Sequence, residues 1–353
     1  MVTQRSIAER AGVSRAAVSI VLGDPETKRV SAAVKEQILT ACAELGYSGD
    51  ARGRRRRLCI TVDPKYGALE PYFSRFMAGA GPCAEAAGYA LVVKELSPSA
   101  KAASFLVNLN CDGIIAYGAL RLAMARKLNS ALPLVALNQP DLEGACDQVG
   151  FDDVAGVSLL TQQLIDHGHR RIAYVATGAC TPSTDGARPA MLNPRLARRV
   201  GAYLGTMVTR GLPIDEAVVL TEAKTAELGL RSEYFIEDAL DHLLALNNPP
   251  TAIVAYNDII AESLLGHMRA RSLHVPQDLS LVGFDATATM TEPALTTVDP
   301  GLAEVGRQAV ACVLARIAGG PVREPQNTVA TPKLIMGETM ADPAATRAVR
   351  SKR

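Results

Sequence analysis

The chain has little of what marks a membrane or secreted protein. Its 353 residues contain no apolar run near twenty residues, so no segment is long enough to span a bilayer as a helix. The amino terminus is polar and has no apolar signal core. We therefore expect a cytoplasmic protein without a membrane contact.

Motifs for metal binding and catalysis are also missing. The seven cysteines are scattered, without a CxxC pair or a histidine at ligand spacing, which favours reduced and mostly buried thiols. The glycines from Gly79 to Gly88 lack the strand-then-glycine order of a phosphate loop. No Ser-His-Asp or Cys-His pairing has a motif context, and His167 and His169 flank Gly168 in what reads as a surface turn. We expect no enzyme, no metal and no cofactor.

Charge divides the chain into a basic beginning and a slightly acidic remainder. Residues 1–57 contain eleven Lys/Arg and six Asp/Glu, a balance of +5, whereas the remainder contains 26 and 30, a balance of −4. A basic segment of this kind is the electrostatic footprint of a module that binds phosphates. The length allows a small headpiece followed by a two-lobed body.

The basic segment begins with the pattern of two short helices that meet at a glycine. Gly12 suits a left-handed helix end, and Ser14 can cap the second helix through its hydroxyl. The apolar positions are Ile7, Ala8 and Ala11 in the first helix and Val18 with Val21 or Leu22 in the second. This is helix-turn-helix geometry, although the spacing alone fits an ordinary αα-corner equally well.

A third helix is predicted over residues 27–46. Ser31 is its N-cap, Val30 a hydrophobic staple and Gly46 its stop. The inward stripe consists of Val34, Ile38, Ala41, Cys42 and Leu45. Three helices in under fifty residues give a small core of the size that DNA-reading headpieces use.

Residues 49–57 form an arginine-rich linker. Arginine occupies five of its positions, and these like charges repel one another and prevent folding alone. One alternative is a solvated tether. The other, which its place after the headpiece favours, is an arm that enters a minor groove or follows phosphates.

From Leu58 onward, short apolar runs alternate with helical periodicity, which predicts two doubly wound parallel sheets. The predicted strands are LCITVD, YALVVKEL, CDGIIAYG, PLVALN, RRIAYVAT, PTAIVAYND, LSLVGFD and ATPKLIMGETM. The predicted helices cover about 73–87, 99–110, a segment through 125, a segment that begins at 157, 196–210, 237–246, 260–271 and 302–317. We expect a headpiece (1–48), the linker (49–57), lobe one (about 58–159 and 292–320), lobe two (about 160–291 and 321–343) and a disordered basic tail (344–353).

The segments VTQRSIAERAGVSRAAVSIVLGD and RVSAAVKEQILTACAELGY resemble the headpiece of the lac/gal repressor (LacI/GalR) family of bacterial transcription factors. The segments GHRRIAYV, PTAIVAYND, VPQDLSLVGFD and ALTTV resemble the family's body, so the likeness runs from Val2 to about Pro343. It implies a headpiece joined to a periplasmic-binding-protein-like body of two lobes.

The resemblance implies that the helix from Ser14 lies in a major groove. Arg15, Ala16 and Ser19 would then reach base edges, with Arg15 as the natural reader of guanine. Ile20 stands where many relatives have a polar residue that contacts bases. The contacts to the DNA backbone would come from Thr3, Ser14, Arg29, Arg52, Arg54, Arg55, Arg56 and Arg57. Relatives insert a hinge leucine into the minor groove, whereas here arginine or glycine stands in a shorter linker, so electrostatic clamping replaces the wedge.

Ligands of doubly wound folds bind at the carboxyl ends of the strands. Polar residues follow these strands at Asn138, Asp152, Asn257 and Asp285, and the resemblance assigns Asn257 and Asp285 to the effector. Asp258 is expected to be a helix cap. The effector arginine, three residues before Gly201, is Arg198, with Arg195 as the alternative. Tyr72 and Phe73 match an aromatic segment that stacks on the effector, although Phe73 can equally be part of the core.

We therefore predict a sequence-specific DNA-binding regulator, a repressor that acts as a homodimer on a pseudo-palindromic operator and responds to a small effector. The effector could be a sugar, a sugar phosphate, a nucleoside base or a small acid. The competing classes are a transport-type solute receptor with the same body and an α/β enzyme. The tail has no leucine heptad, so no tetramer-forming coil is expected.

Overall fold

The computed structural model describes residues 3–23, 27, 29–45, 56–62, 71–95, 111–118, 120, 122–139, 142, 144–176, 194–221, 235–288, 291–319 and 324–343. Four predicted features lie outside the described residues: the helix over 99–110, the stop at Gly46, the linker residues 49–55 and the tail 344–353. The chain divides into unit one, Met1–Val149 with Gly306–Asn327, and unit two, Gly150–Val305 with Thr328–Arg353.

The headpiece consists of helices α1 (Gln4–Ala11), α2 (Arg15–Gly23) and α3 (Ala32–Glu44). Thr3 caps α1 in a capping box with Ser6, since the Ser6 N–H donates to Thr3 Oγ1 at 3.2 Å and the Thr3 N–H donates to Ser6 Oγ at 2.8 Å. Gly12 ends α1 with a φ of 65°, a left-handed conformation that glycine adopts without a steric cost. The predicted turn between α1 and α2 is confirmed.

Serine hydroxyls begin the other two headpiece helices. Ser14 Oγ accepts from the Ala17 N–H at 3.1 Å, and Ser31 Oγ accepts from the Val34 N–H at 3.5 Å. The predicted apolar stripes meet in one buried cluster, with Val30, Val34 and Leu45 packed at its margin (Ile7, Ala8, Val18, Val21, Leu22, Ile38, Ala41 and Cys42). Sequence periodicity therefore predicted this small core correctly.

The body begins at Arg57 and contains twelve described strands and seven described helices. Its elements up to the end of unit one's first segment are β1 (Arg57–Val62), α4 (Pro71–Ala86), β2 (Ala90–Glu95), β3 (Gly113–Tyr117), α5 (Leu122–Asn129), β4 (Leu134–Leu137) and β5 (Asp147–Phe151). The remaining elements are α6 (Asp153–Asp166), β6 (Ile172–Ala176), α7 (Pro194–Thr209), β7 (Val219–Thr221), α8 (Phe235–Ala245), β8 (Ala252–Ala255), α9 (Asp258–Ala270), β9 (Ser280–Val282), β10 (Thr297–Asp299), α10 (Leu302–Ile317), β11 (Asn327–Ala330) and β12 (Lys333–Ile335).

The first sheet has six strands in the order β11-β5-β4-β3-β1-β2. The neighbours from β5 to β2 pair in parallel, with Leu58 opposite both Gly113 and Leu91. Helix α10 packs closely against α4 because Gly306 has no side chain: an added Cβ would overlap the Phe76 carbonyl oxygen. Strand β1 lies between β2 and β3, so the strand order reverses at β1, as in a doubly wound fold.

The second sheet has four parallel strands in the order β7-β6-β8-β9 and belongs wholly to unit two. Its core is formed by residues of β6, β8 and β9 with α8 and α9. A separate two-stranded antiparallel sheet pairs β10 with β12. The predicted fold class, an all-α headpiece with two doubly wound parallel sheets, is confirmed.

Four strands were not predicted: β5, β7, β10 and β11. Strand β5 begins with Asp147 and Gln148, both buried, and the Asp147 carboxylate receives two hydrogen bonds of 2.6 Å from Arg316. An aspartate such as Asp147 is typical of a loop, and only its pairing with Arg316 explains its place in a buried strand. Strand β7 has only three residues, and three of the four residues of β11 are polar or exposed. Apolar periodicity cannot reveal such strands.

The expected crossovers between the lobes differ from the division of the chain into units by 10, 14 and 7 residues. The units change after Val149, Val305 and Asn327 rather than near 159, 291 and 320. The crossovers run through β5, α10 and β11, where the sequence shows no break. Helix α6 belongs to unit two, since an added Cβ at Gly156 would lie 2.5 Å from the Phe284 ring. The linker also ends earlier than expected, because Arg57 already pairs with Ala90 in β1.

His169 was expected in a surface turn and is instead fully buried. Its Nδ1 lies 2.8 Å from Thr251 Oγ1 and its Nε2 lies 2.9 Å from the Ala341 carbonyl oxygen. Since a carbonyl can only accept, Nε2 carries the proton of the neutral ring. His169 thereby fastens the end of the described chain to unit two, whereas His167 remains exposed.

The described ranges contain no helix that is both long and apolar enough to cross a bilayer. Within the same ranges, no group of three His, Cys, Asp or Glu side chains is arranged to hold a metal ion.

Candidate functional site

Helix α2 presents the predicted base-reading residues on one exposed face. Arg15, Ala16, Ser19 and Ile20 are exposed, and the opposite face, with Val18, is buried against α1 and α3. Residues three and four positions apart are neighbours on a helix surface, so the pairs Arg15–Ser19, Ala16–Ser19 and Ala16–Ile20 join the four side chains in one continuous strip. The strip has the size and placement that a groove-reading helix requires.

The residues predicted to contact the DNA backbone are only partly described. Thr3 and Ser14 use their hydroxyls as helix caps, and both residues remain exposed. Arg29 and Arg56 are exposed as well. Arg57 is half-buried, and its N–H donates to the Asp112 carboxylate at 3.3 Å. Arg52, Arg54 and Arg55 lie outside the described residues.

In unit two, two predicted effector residues begin helices. Asp152 caps α6, since its carboxylate accepts from the Ala155 N–H at 2.8 Å. Asn257 caps α9, since its side-chain oxygen accepts from the Ile260 N–H at 3.0 Å. The expected cap at Asp258 was therefore wrong by one residue: Asn257 is the cap and Asp258 is the first residue of the helix.

Asp258 holds the loop that follows β9. Its fully buried carboxylate accepts from the Thr287 N–H at 2.7 Å, the Ala288 N–H at 3.1 Å and the Thr297 hydroxyl at 2.6 Å. Burial raises the pKa of Asp258, and these hydrogen bonds offset part of that rise. The loop that contains Asp285 is thus held in place by hydrogen bonds that it donates to α9.

Asp285 lies at the end of β9 in a left-handed conformation, with a φ of 103°. Its N–H donates to the Val298 carbonyl at 2.9 Å, and its carboxylate is buried. Burial raises the pKa of Asp285 to about 6, although the nearby positive charge of Arg199 opposes the rise. A non-glycine residue held at positive φ is unusual and is a frequent feature of binding sites.

Arg199 lies at the carboxyl edge of the second sheet, and it was not predicted as a site residue. Its side chain is 1 % exposed and donates from Nε to Asp153 at 2.7 Å and from Nη2 to Asp285 at 3.3 Å. Its Nη1 donates to the Tyr256 carbonyl at 2.6 Å, and its guanidinium lies 3.8 Å from the centroid of the Phe284 ring. Burial lowers the pKa of Arg199, but the two aspartates outweigh burial and raise it well above its ordinary value.

The two predicted effector arginines lie on the same helix, α7, as Arg199. Arg198 is 35 % exposed and donates from Nη2 to Asp153 at 3.1 Å, so it shares that carboxylate with Arg199. The Arg195 guanidinium lies 5.6 Å from the centroid of the Phe151 ring. Both arginines remain candidates for the effector site, and Arg198 contacts the buried pair of Arg199 and Asp153 directly.

The remaining predicted effector residues belong to unit one. Asn138 ends β4 with a φ of 51°, and its N–H donates to the Val149 carbonyl at 2.9 Å. Phe73 is 4 % exposed, and its ring packs edge-on against Tyr117 at 5.1 Å, which fits the core alternative. Tyr72 is half-buried with its ring 5.9 Å from that of Tyr117.

The sequence contained a signal for Arg199. Leu196, Arg199 and Tyr203 lie at i, i+3 and i+7 on α7, which is the buried side of that helix. An arginine in this stripe predicts a buried carboxylate partner, because a buried cation is almost always paired. Which carboxylate it would meet could not be read from the sequence, since Asp153 and Asp285 are 46 and 86 residues away.

Comparison with known proteins assigns the chain to a family. Residues 161–340 match the family described as "Periplasmic binding protein-like domain", and residues 3–50 match "Bacterial regulatory proteins, lacI family". The chain belongs to the LacI family, with a periplasmic-binding-protein-like body. This LacI-family membership confirms the resemblance inferred from the headpiece and body segments.

Relatives match nearly the whole LacI-family chain. It is 26 % identical over 357 residues to the HTH-type transcriptional repressor CytR of Escherichia coli (strain K12), covering 97 % of each protein. It is 27 % identical to the ribose operon repressor of Haemophilus influenzae, covering 96 % of this chain and 99 % of that protein.

Two solved structures share the fold. One is the complex of the transcriptional regulator CelR with cellobiose, with a TM-score of 0.65, 24 % identity and coverage of 96 % of this chain and 100 % of that one. The other is a LacI-family regulator of Enterococcus faecium with bound ribose, with a TM-score of 0.66, 21 % identity and coverage of 81 % of this chain and 99 % of that one.

Proposed function

We propose that this LacI-family chain is a transcriptional repressor that binds a pseudo-palindromic operator as a homodimer and is controlled by a small hydroxyl-rich molecule. The observation that carries the proposal is the exposed strip of α2 on a headpiece of the LacI type, attached to a body whose relatives include repressors and regulators solved with sugars. The transport-receptor alternative leaves that strip without a role, and the sequence contains no catalytic motif that would favour the enzyme alternative.

The strip suits the reading of base edges in a major groove. The guanidinium of Arg15 can donate two hydrogen bonds to O6 and N7 of a guanine, the pairing that arginine makes most often. Ala16 and Ile20 offer apolar contact to a thymine methyl group. Ser19 can donate or accept. Thr3, Ser14, Arg29 and the arginines of the linker would contact phosphates on either side.

The carboxyl edge of the second sheet supplies the effector-binding groups of unit two. Arg198 and Asp285 are a donor and an acceptor suited to neighbouring hydroxyls of a sugar. Asp152 and Asn257 each use one oxygen as a helix cap, so their remaining polar atoms would serve the ligand. Asn138 and Tyr72 are the predicted effector residues of unit one.

Binding of the effector would act on DNA affinity by linkage. A ligand shifts only the equilibrium between states that it binds unequally, and such couplings are typically about 1–3 kcal/mol. In a dimer, the two headpieces must match half-sites about one or more helical turns apart. A change in the distance between them therefore weakens the contacts on both half-sites together.

Selection of binding sites from random duplexes by the full-length protein tests the proposal. Enrichment of one inverted-repeat sequence is expected. Arg15→Ala should relax the base preference at one position of each half-site, because only that guanine contact is lost. Arg5→Ala is the matched control: Arg5 is exposed on α1 and pairs with Glu9 at 3.0 Å, so the preference should persist. Recovery of random sequences by the unaltered protein would refute the repressor function.

The salt dependence of operator binding measures the phosphate contacts. The logarithm of affinity should fall with the logarithm of salt concentration, with a slope of about −0.9 for each phosphate neutralised. Arg55→Ala should weaken binding to all sequences alike and reduce that slope by about 1. A flat response to salt would exclude the arginine linker as a DNA contact.

Effector binding is tested by thermal shift with ribose and cellobiose, the sugars bound in the two related structures. Stabilisation is expected from a hydroxyl-rich ligand and should be lost in Arg198→Ala but kept in Arg210→Ala. Arg210 forms an exposed ion pair with Asp166 at the other end of α7. Turnover of a ligand during the incubation would favour the enzyme alternative instead.

A further inference from the structure

Unit two contains a cavity at the edge of its sheet opposite to Arg199. The cavity encloses about 740 Å³ and is lined by the segments that lead into β6, β7 and β8 and by the end of the described chain. Parallel strands all begin at the same edge of a sheet, so these segments meet there. Cavities of about 300–1,000 Å³ are typical of sites for small molecules.

Arg171 is the cation of this cavity with unused hydrogen-bonding capacity. Its Nη1 pairs with Asp215, whose carboxylate also accepts from the Ala217 N–H at 2.9 Å. Its side chain is 24 % exposed, and its Nε is buried without a hydrogen-bond partner among the described residues. Buried polar groups nearly always have a partner, so this guanidinium retains a donor that its present neighbours do not satisfy.

The charges of the lining restrict the kind of ligand. Two cations, Arg170 and Arg171, stand against two anions, Asp215 and Asp342. A cationic ligand would offer no acceptor to Arg171, and a dianion such as phosphate would meet two like charges. A single carboxylate offers an acceptor and meets about half of that repulsion, and it forms a stronger, charge-assisted pair with a guanidinium than a neutral oxygen does.

Besides the polar Asn248 and Thr251, the lining has an apolar part. Ile172 and Met207 come from β6 and α7, and Pro249 lies before β8. Tyr203 presents its ring while its hydroxyl donates to the Ile172 carbonyl at 2.7 Å, so its polar end is already satisfied. A ligand that fits this lining has one charged end and an apolar body.

We propose that this cavity is a second ligand site that binds a small monocarboxylic acid, with its carboxylate on Arg171 and its apolar body against Met207 and Pro249. The site is distinct from the carboxyl edge to which the effector is assigned, and it would exist whether or not that assignment is correct. The protein would then bind two small molecules of different chemical classes, a hydroxyl-rich effector and a monocarboxylic acid.

The probe pair of phenylacetate and phenylacetamide tests the site, since the two differ only in the charged oxygen. The full-length protein is labelled with carbon-13 at the methionine methyl groups, and the Met207 signal is identified by its loss in Met207→Leu. Millimolar phenylacetate should shift the Met207 signal saturably, and phenylacetamide should shift it much less. No saturable shift with phenylacetate, or equal shifts with both compounds, would overturn the proposal.

Two arginine variants locate the charged contact. Arg171→Gln should weaken phenylacetate binding by about tenfold or more, since a charge-assisted pair is lost. Arg210→Gln lies on the same unit, outside the cavity, and removes a different exposed ion pair; it should leave binding unchanged. Unchanged binding in Arg171→Gln, or an equal loss in Arg210→Gln, would contradict the assignment. If Arg171→Gln does not fold, the comparison of phenylacetate with phenylacetamide on the unaltered protein still tests the proposal.

Discussion

Replacement of Arg199 by methionine should destabilise unit two strongly. Methionine fills much of the same volume but removes the charge that Asp153 and Asp285 share. In the native protein Arg199 makes three hydrogen bonds, at 2.7 and 3.3 Å to these carboxylates and at 2.6 Å to the Tyr256 carbonyl. The substitution leaves Asp153 and Asp285 buried with less compensation.

The magnitude follows from the burial of the partners. Removing one member of a buried ion pair costs about 3–5 kcal/mol, mostly because the other member stays buried with its charge. Asp153 keeps Arg198, which reduces the cost, whereas Asp285 is 8 % exposed and loses an ion-pair partner. We expect a loss of about 3 kcal/mol in the free energy of unfolding, which is a large part of the roughly 5–15 kcal/mol of an ordinary domain.

Urea denaturation followed by far-ultraviolet circular dichroism measures this loss. It should be larger at pH 8 than at pH 5, because a buried carboxylate that lacks its cation has a raised pKa and is neutralised as the pH falls. Asp153→Asn in the same chain should recover part of the loss. Arg210→Met, which breaks an exposed ion pair, should cost under about 1 kcal/mol.

Two results would refute this reasoning. One is a loss below that of Arg210→Met at pH 8, which would mean that the cluster contributes no net stability. The other is a large loss that depends neither on pH nor on Asp153→Asn. Such a loss would come from packing around the Phe284 ring rather than from charge.

Two further predictions concern other parts of the body. Burial lowers the pKa of His169 to about 4 from 6.5, so the unfolded chain binds more protons between these values. The stability that neutral His169 contributes is therefore complete above pH 6.5 and falls by about 3 kcal/mol towards pH 4. The difference in free energy of unfolding between the unaltered protein and His169→Gln, measured by urea titration, should shrink over this range. A difference that stays constant with pH would contradict this prediction. Gly306→Ala should lower the free energy of unfolding by about 1–3 kcal/mol, because its Cβ overlaps the Phe76 carbonyl oxygen. Gly81→Ala is the control on α4 and should not destabilise the protein, because the space around Gly81 is open. Equal melting temperatures of the two variants would exclude the close approach of α10 to α4.

The pH dependence of Asp285 has the opposite sign to that of His169. Its folded pKa of about 6 lies above the ordinary 3.8, so ionisation costs stability as the pH rises through this range. Since Asp285 titrates in both the unaltered protein and His169→Gln, its contribution cancels in their difference. The comparison therefore isolates the histidine.

Local chemistry made the headpiece predictable from its sequence. Caps at Ser14 and Ser31, the left-handed Gly12 and the 3.6-residue spacing of apolar side chains each depend on neighbours within four residues. The parallel strands with continuous apolar runs were predictable for the same reason. Helix α10, which we placed at 302–317, has those bounds in the structure.

The sequence by itself determined the headpiece, the alternation of strands and helices, and the family. Only the tertiary structure decided where the chain crosses between units, that Asn257 rather than Asp258 caps α9, and that Arg199 is buried between Asp153 and Asp285. These features depend on pairs of residues far apart in the chain, such as Asp147 with Arg316, and on burial that converts a polar residue from a surface group into a paired one. Periodicity reports which side of an element faces inward, and the partner it meets there is fixed by packing.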